Sequence, residues 1–231
     1  MNGNVTRCPV PCRPVDSSAA AIAVTSAVAG VAAVANWWSR VDDRRRVELI
    51  SKPLATIAIG VLALLVADDS VPTGALVAAV AGFVLCLAGD VALLPVVDRF
   101  VVGLTSFLAG HLAFVVMFAL LGLDRWWLGF VALAGAGAVA AFVGRPILAG
   151  ARAKDPGLLR PVQAYLTIIS SMAVVGWATG VPAAIVGSAL FVLSDSILGW
   201  RQFVAEHRWM PVAIMVTYHG ALLGLALTLA G

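Results

Sequence analysis

Residues 100–121 read FVVGLTSFLAGHLAFVVMFALL, a stretch with no lysine, arginine, aspartate or glutamate. At about 1.5 Å of rise per residue a helix of this length reaches about 33 Å, enough to cross the roughly 30 Å hydrocarbon layer of a bilayer. In hydrocarbon every backbone N–H and C=O must be paired internally, which leaves a helix or a closed barrel. The stretch shows no strict alternation of apolar and polar residues, so the helix is the reading.

The same pattern recurs on both sides. Upstream lie apolar segments at 18–38, 47–67 and 73–94; downstream they lie at 126–143, 162–179, 181–200 and 209–230. The expectation is an all-α fold, a polytopic membrane helix bundle of about eight transmembrane helices over residues 18–231. A flexible, proline-rich N-terminal tail is expected at 1–17. Of the 231 residues 61% are hydrophobic and 12% are charged, against about 25% charged in soluble domains. The first segment follows Arg7 and Arg13 as a signal peptide would. It ends in Trp37 and Trp38 rather than a small-residue cleavage site, which points to a retained helix. The run LAGAGAVA at 133–140 is the clearest surface for close helix packing.

The net charge of +3 is carried by residues that flank the apolar runs, not by a basic patch on a soluble surface, so nucleic acid is not an expected partner. Twelve of the fifteen lysines and arginines border the odd-numbered loops, and only Arg7, Arg13 and Arg125 border the other side. By the positive-inside rule the protein is expected to be a multi-pass cell-membrane protein with cytoplasmic odd loops and both termini outside. Trp37, Trp38, Trp126, Trp127, Trp200 and Trp209 stand at segment ends, as interface anchors do. The three cysteines form no framework: Cys86 lies in an apolar run, and Cys8 and Cys12 lie in the tail. The sequence leaves the oligomeric state open.

An ionisable residue inside a membrane helix is costly and usually faces the bundle interior. Asp90 sits about four residues before the end of the third segment, and Asp195 about five before the end of the seventh. Both should lie roughly 6–8 Å into the membrane on the odd-loop side. Lys52, at the start of the second segment and followed by Pro53, lies at the same depth. There it either snorkels to the interface or joins a site. His111, Tyr218 and His219 fall near mid-helix. Asn36, Ser106, Gln163, Tyr165 and Ser194 lie toward the same end as the aspartates, and the opposite half of the bundle is almost purely apolar. Together these residues describe a polar pocket open to one leaflet above an apolar floor, suited to an amphiphile.

The pocket lacks a G-x-S-x-G elbow, an H-E-x-x-H pair and a Walker loop. Neither a metal nor an organic cofactor is expected. The two aspartates remain as an acid–base pair. Two carboxylates in different environments split these roles in glycosidases, around an oxocarbenium-like transition state. A vinyl ether reacts in the same way, by protonation at carbon, addition of water, and collapse to an aldehyde and an alcohol.

The motifs S51-K52-P53-L54, L87-A88-G89-D90, F107-L108-A109-G110-H111, L190-F191-V192-L193-S194-D195-S196 and T217-Y218-H219 resemble, in order, those of the YhhN family of TMEM86-like lysoplasmalogenases. The resemblance covers about residues 47–225. It implies hydrolysis of the vinyl ether bond of a lysophospholipid substrate, a lysoplasmalogen, to a fatty aldehyde and a glycerophospho-base. It also implies that Asp90 and Asp195 are catalytic and that Lys52, His111, Ser194 and Tyr218 lie in the pocket. Gln163 and His219 are further substrate-binding candidates, and Lys52 is expected to meet the lipid phosphate. One position departs from the family: a glutamine is usual four residues after the last-helix tyrosine, where this chain has Leu222. The competing reading from another class is a small membrane transporter or lipid-binding protein without hydrolase activity. It fits less well, because no internal repeat is evident and the charges sit toward one face rather than the midplane. An intramembrane aspartyl protease fits least, since the run is A-G-D and no Y-D partner occurs.

Overall fold

The structure, a computed structural model, describes residues 15–230, with side chains from residue 18. Residues 1–14 of the expected tail, with Cys8 and Cys12, lie outside the described residues. The helices are α1 (Val15–Val41), α2 (Arg45–Val66), α3 (Thr73–Ala92), α4 (Phe100–Leu121), α5 (Trp126–Val139), α6 (Arg145–Lys154), α7 (Leu159–Ala178), α8 (Pro182–Phe203) and α9 (Met210–Leu227). Among the described residues there is no strand. Eight helical spans are long and apolar enough to cross a membrane, and α5 and α6 together make one of them.

That fifth span corrects the sequence reading, which ended the helix at 143 and placed Arg145, Arg152 and Lys154 in a loop. A π-helical turn at Ala140–Gly144 joins α5 to α6, and the continuous span runs from Trp126 to Lys154 over 29 residues. Pro146 has no N–H and crowds the carbonyl four residues earlier, so it looks like a helix breaker. The wider π turn just before it absorbs the missing bond. At about 43 Å the span outreaches the hydrocarbon, and its basic end projects at the odd-loop side. Pro53, expected in a first turn, instead lies well inside α2, which begins at Arg45. The Leu49 carbonyl therefore lacks its helical partner.

Consecutive helices pair α1 with α2, α3 with α4, and α8 with α9. Further contacts of α2 with α3 and α9, α4 with α7, and α7 with α8 close a ring of six helices, α2-α3-α4-α7-α8-α9. Helix α1 packs outside the ring on α2 and α9, and α5 packs outside on α7. Phe83, Phe114, Phe118, Met172, Phe191, Leu222 and Leu225 fill the ring interior. The backbones of α8 and α9 cross in direct contact. A Cβ on Gly224 would stand 2.6 Å from the Gly187 Cα, so neither position has room for a side chain. The 133–140 run, by contrast, is not a packed surface. A Cβ on Gly135 or Gly137 would meet nothing within 4 Å, and α5 approaches α7 through Gly129 and Ala132 instead.

Two of the turns on the even-loop side contain a glycine at positive φ, Gly122 and Gly180. Gly180 takes φ +75 after α7, the left-handed conformation that ends a helix at little steric cost, and Pro182 opens α8. Thr179 closes this corner: its hydroxyl donates to the Gly176 carbonyl at 2.8 Å and accepts the Val181 N–H at 3.2 Å.

Candidate active site

Asp90 lies in the last turn of α3, where the helix dipole presents its negative end. A carboxylate there needs compensation, and three groups supply it. The Lys52 Nζ of α2 stands 3.3 Å from Oδ1. The Thr56 hydroxyl donates to Oδ2 at 2.6 Å, and the Tyr218 hydroxyl of α9 donates to the same oxygen at 2.8 Å. Nζ also donates to the Asp90 backbone carbonyl at 3.5 Å, so the ammonium caps the helix end as well as the side chain. Lys52 and Thr56 are four residues apart and so share one face of α2.

Asp195 sits two turns before the end of α8. Its Oδ2 accepts a short hydrogen bond from the Tyr165 hydroxyl of α7. The His111 Nε2 of α4 lies 3.7 Å from the same oxygen, beyond hydrogen-bond reach, and both nitrogens of this fully buried ring lack a partner. The chain has only two tyrosines, and each donates its hydroxyl to one of the two aspartates. An unbroken series of edge-to-face rings joins them. Tyr218 meets Phe191 at 5.6 Å, Phe191 meets His111 at 4.5 Å, and His111 meets Tyr165 at 5.3 Å between centroids. Such contacts fix ring orientation, so the two hydroxyls are held by one rigid aromatic core.

Asp90, Asp195, Lys52, Ser194 and Tyr218 all line one cavity of about 100 Å³ at the odd-loop end of the ring. A single water needs roughly 10–15 Å³ by this measure, so several fit beside the carboxylates. Ser194 spends its hydroxyl proton on the Ile214 carbonyl at 3.1 Å, tying α8 to α9 and leaving its oxygen toward the cavity. Arg40, Glu48 and Arg201 complete the wall nearer the loops, with Arg40 and Glu48 ion-paired to each other.

Three other candidates lie elsewhere. His111 stands behind Asp195 and does not line the cavity. His219 faces α1, where its Nδ1 accepts the Trp37 Nε1–H at 3.0 Å. Gln163 is exposed on the outer face of α7, in a groove against α5. Leu222, the departure from the expected glutamine, is fully buried in the core and also away from the cavity. Sequence reasoning passed over Thr56, Arg40, Glu48 and Arg201. Thr56 carried a signal, one helical turn beyond Lys52, whereas the other three look like ordinary loop-flanking charges.

The sequence model of the YhhN family matches residues 47–229. Lysoplasmalogenase TMEM86B of Homo sapiens is 31% identical over 157 residues, which is 68% of this chain. The matched region spans 66% of that relative, just under two thirds of its length. No solved structure matches the chain.

Proposed function

Since the chain belongs to the YhhN family, we propose that it is an integral membrane hydrolase that cleaves the vinyl ether bond of lysoplasmalogens. The products are a fatty aldehyde and a glycerophospho-base. The observation that carries this reading is that Asp90 and Asp195, from different helices, line one cavity with room for several waters, each fixed by a tyrosine hydroxyl. The similarity to a protein named lysoplasmalogenase supplies the bond class.

The surroundings of the two carboxylates differ, and that difference supports distinct roles. Asp90 faces an ammonium and accepts from two hydroxyls, which suits the ionised partner. Asp195 has one hydroxyl donor and no lysine or arginine paired with it among the described residues, which suits the proton donor. Asp195 gives its proton to the alkene carbon farther from the oxygen, the one that carries the alkyl chain, leaving an oxocarbenium ion at the carbon bonded to oxygen. Asp90 takes a proton from a cavity water as the water oxygen bonds to that carbon. The hemiacetal then loses the glycerol oxygen as a hydroxyl and leaves the aldehyde, and the net proton balance restores both carboxyl groups. This reading requires no metal or organic cofactor. The odd-numbered loops, and with them the cavity, face the cytoplasm on the charge asymmetry of the loops.

The test is aldehyde release from lysoplasmenyl-ethanolamine and lysoplasmenyl-choline by the purified protein in mild detergent. Aldehyde is expected from the wild type. Asp90→Asn and Asp195→Asn should each lower turnover by about 10²-fold or more. Normal turnover in either variant sinks the paired-carboxylate mechanism. Well-folded wild type without aldehyde sinks the hydrolase reading and favours lipid binding or transport.

A further inference from the structure

The ion pair between Arg40 and Glu48 is unusual in its place. Arg40 ends α1 and Glu48 opens α2, yet the Glu48 side chain is only 7% exposed and the Arg40 side chain 15%. A buried pair is a poor stabilising device, because desolvating both ions roughly offsets their attraction. This pair also does not face protein alone, since both residues line the cavity that holds the aspartates. Glu48 precedes Lys52 by one helical turn and so lies about 6 Å nearer the loops. Arg201 follows Asp195 by six residues, about 9 Å nearer the loops on α8. The outer end of the cavity therefore carries a cation, an anion and a second cation, Arg201. Among the described residues the only ion pair of Arg201 is with Glu206, outside the cavity and solvent-exposed, at 2.6 Å, while Lys52 deeper down is already engaged by the buried Asp90.

We propose that Arg40, Glu48 and Arg201 form a head-group subsite for a zwitterion, a phosphodiester joined to a primary ammonium. This rests on the lysophospholipid reading above and narrows it to an ethanolamine-type head group. The guanidinium of Arg40, joined by that of Arg201, takes the phosphate, and the Glu48 carboxylate takes the ammonium. A ligand with phosphate alone would leave Glu48 beside an anion, and a ligand with ammonium alone would meet Arg40. A zwitterion satisfies both members of the pair at once. A quaternary ammonium has no N–H for Glu48 and is best held by an aromatic cage. The aromatic residues lining this cavity are Phe107 and Tyr218, both two turns deeper on their helices, so no cage stands at the outer end. The phosphate role expected for Lys52 passes to the arginines, because the Lys52 ammonium serves Asp90.

The probes are three saturated 1-O-alkyl lysolipids of equal chain length, which have no vinyl bond: glycerophosphoethanolamine, glycerophosphocholine and the glycerophosphate monoester. Equilibrium binding to the full chain in detergent is measured by calorimetry, with thermal melts to check folding. Wild type should bind the ethanolamine lipid most tightly, by about tenfold over the monoester. In Glu48→Gln that preference should vanish, and affinity for the monoester should be unchanged or higher, because an anion beside its phosphate is gone. Arg40→Gln should weaken all three lipids. The exchange Arg40→Glu with Glu48→Arg keeps an ion pair between α1 and α2 but reverses its direction, and it should also lose the preference. Retained ethanolamine preference in Glu48→Gln, or wild-type binding by the exchanged variant, overturns the subsite and leaves the pair as helix packing. Aldehyde release run in parallel separates the two readings. Ethanolamine preference without aldehyde removes the hydrolase and keeps the subsite, whereas aldehyde without preference removes the subsite alone.

Discussion

Lys52 and Asp90 depend on each other, and the dependence is measurable. Removing one member of a buried charge pair leaves the other uncompensated, at about 3–5 kcal/mol, whereas replacing both with neutral groups is close to neutral. Lys52→Met should therefore lower the melting temperature in detergent more than the double variant Lys52→Met with Asp90→Asn does. A double variant no more stable than the single would show that the ammonium does not act as the carboxylate's counter-charge. At this scale the sequence pointed to Lys52, Asp90 and Asp195, because a charge inside an apolar run is expensive, and all three prove to be buried along one cavity. It did not show what holds them. Tyr165 and Tyr218 reach their aspartates from other helices, 30 and 128 residues away in sequence, and no local pattern encodes such a pairing. Arg40 and Glu48 were hidden for the opposite reason, since they sit among loop charges and only the approach of α1 to α2 withdraws them from water.

At the scale of the helix, glycine separates the packed faces from the bare ones. Gly224 and Gly187 let the backbones of α8 and α9 touch, and the same helix pair carries the Ser194 bond to Ile214 nearer its other end. Even a methyl on Gly224 must push the helices apart, so Gly224→Ala should destabilise by about 1–3 kcal/mol and lower activity with it. Gly135→Ala meets open space and should be neutral or slightly stabilising, since alanine is the better helix former by about 1 kcal/mol. Thermal melts of the two variants in one detergent check the contrast, and equal effects would refute the assigned crossing. Composition alone pointed to the glycine-rich 133–140 run as the packing surface. It could not distinguish small residues that meet a neighbour from small residues that meet none. The number and order of spans were legible because segments of about 20 apolar residues are forced by bilayer thickness. The fifth span overran its expected end because Pro146 imitates a stop that the π turn bypasses.

Across the whole molecule, eight spans were readable but their arrangement was not, since the order α2-α3-α4-α7-α8-α9 follows from contacts far apart in sequence. What was legible was the polar end of the bundle, where the cavity lies. The loop charges place that end, by expectation, toward the cytoplasm. With Cys8 and Cys12 replaced by serine and Cys86 buried, a cysteine at Val96 should label only from the cytoplasmic side and one at Asp69 only from the outside. The reverse pattern would invert the topology without disturbing the site. The one-ended cavity has a consequence for supply. On the proposed function its carboxylates are reached from a single monolayer, so lysolipids in the opposite monolayer are out of reach until they flip. In a sealed membrane, consumption would then run as a fast phase that empties one sheet and a slow phase paced by transbilayer exchange. The water-soluble product would leave into one compartment, the aldehyde would stay in the oil, and lateral pressure would shift toward the sheet left untouched.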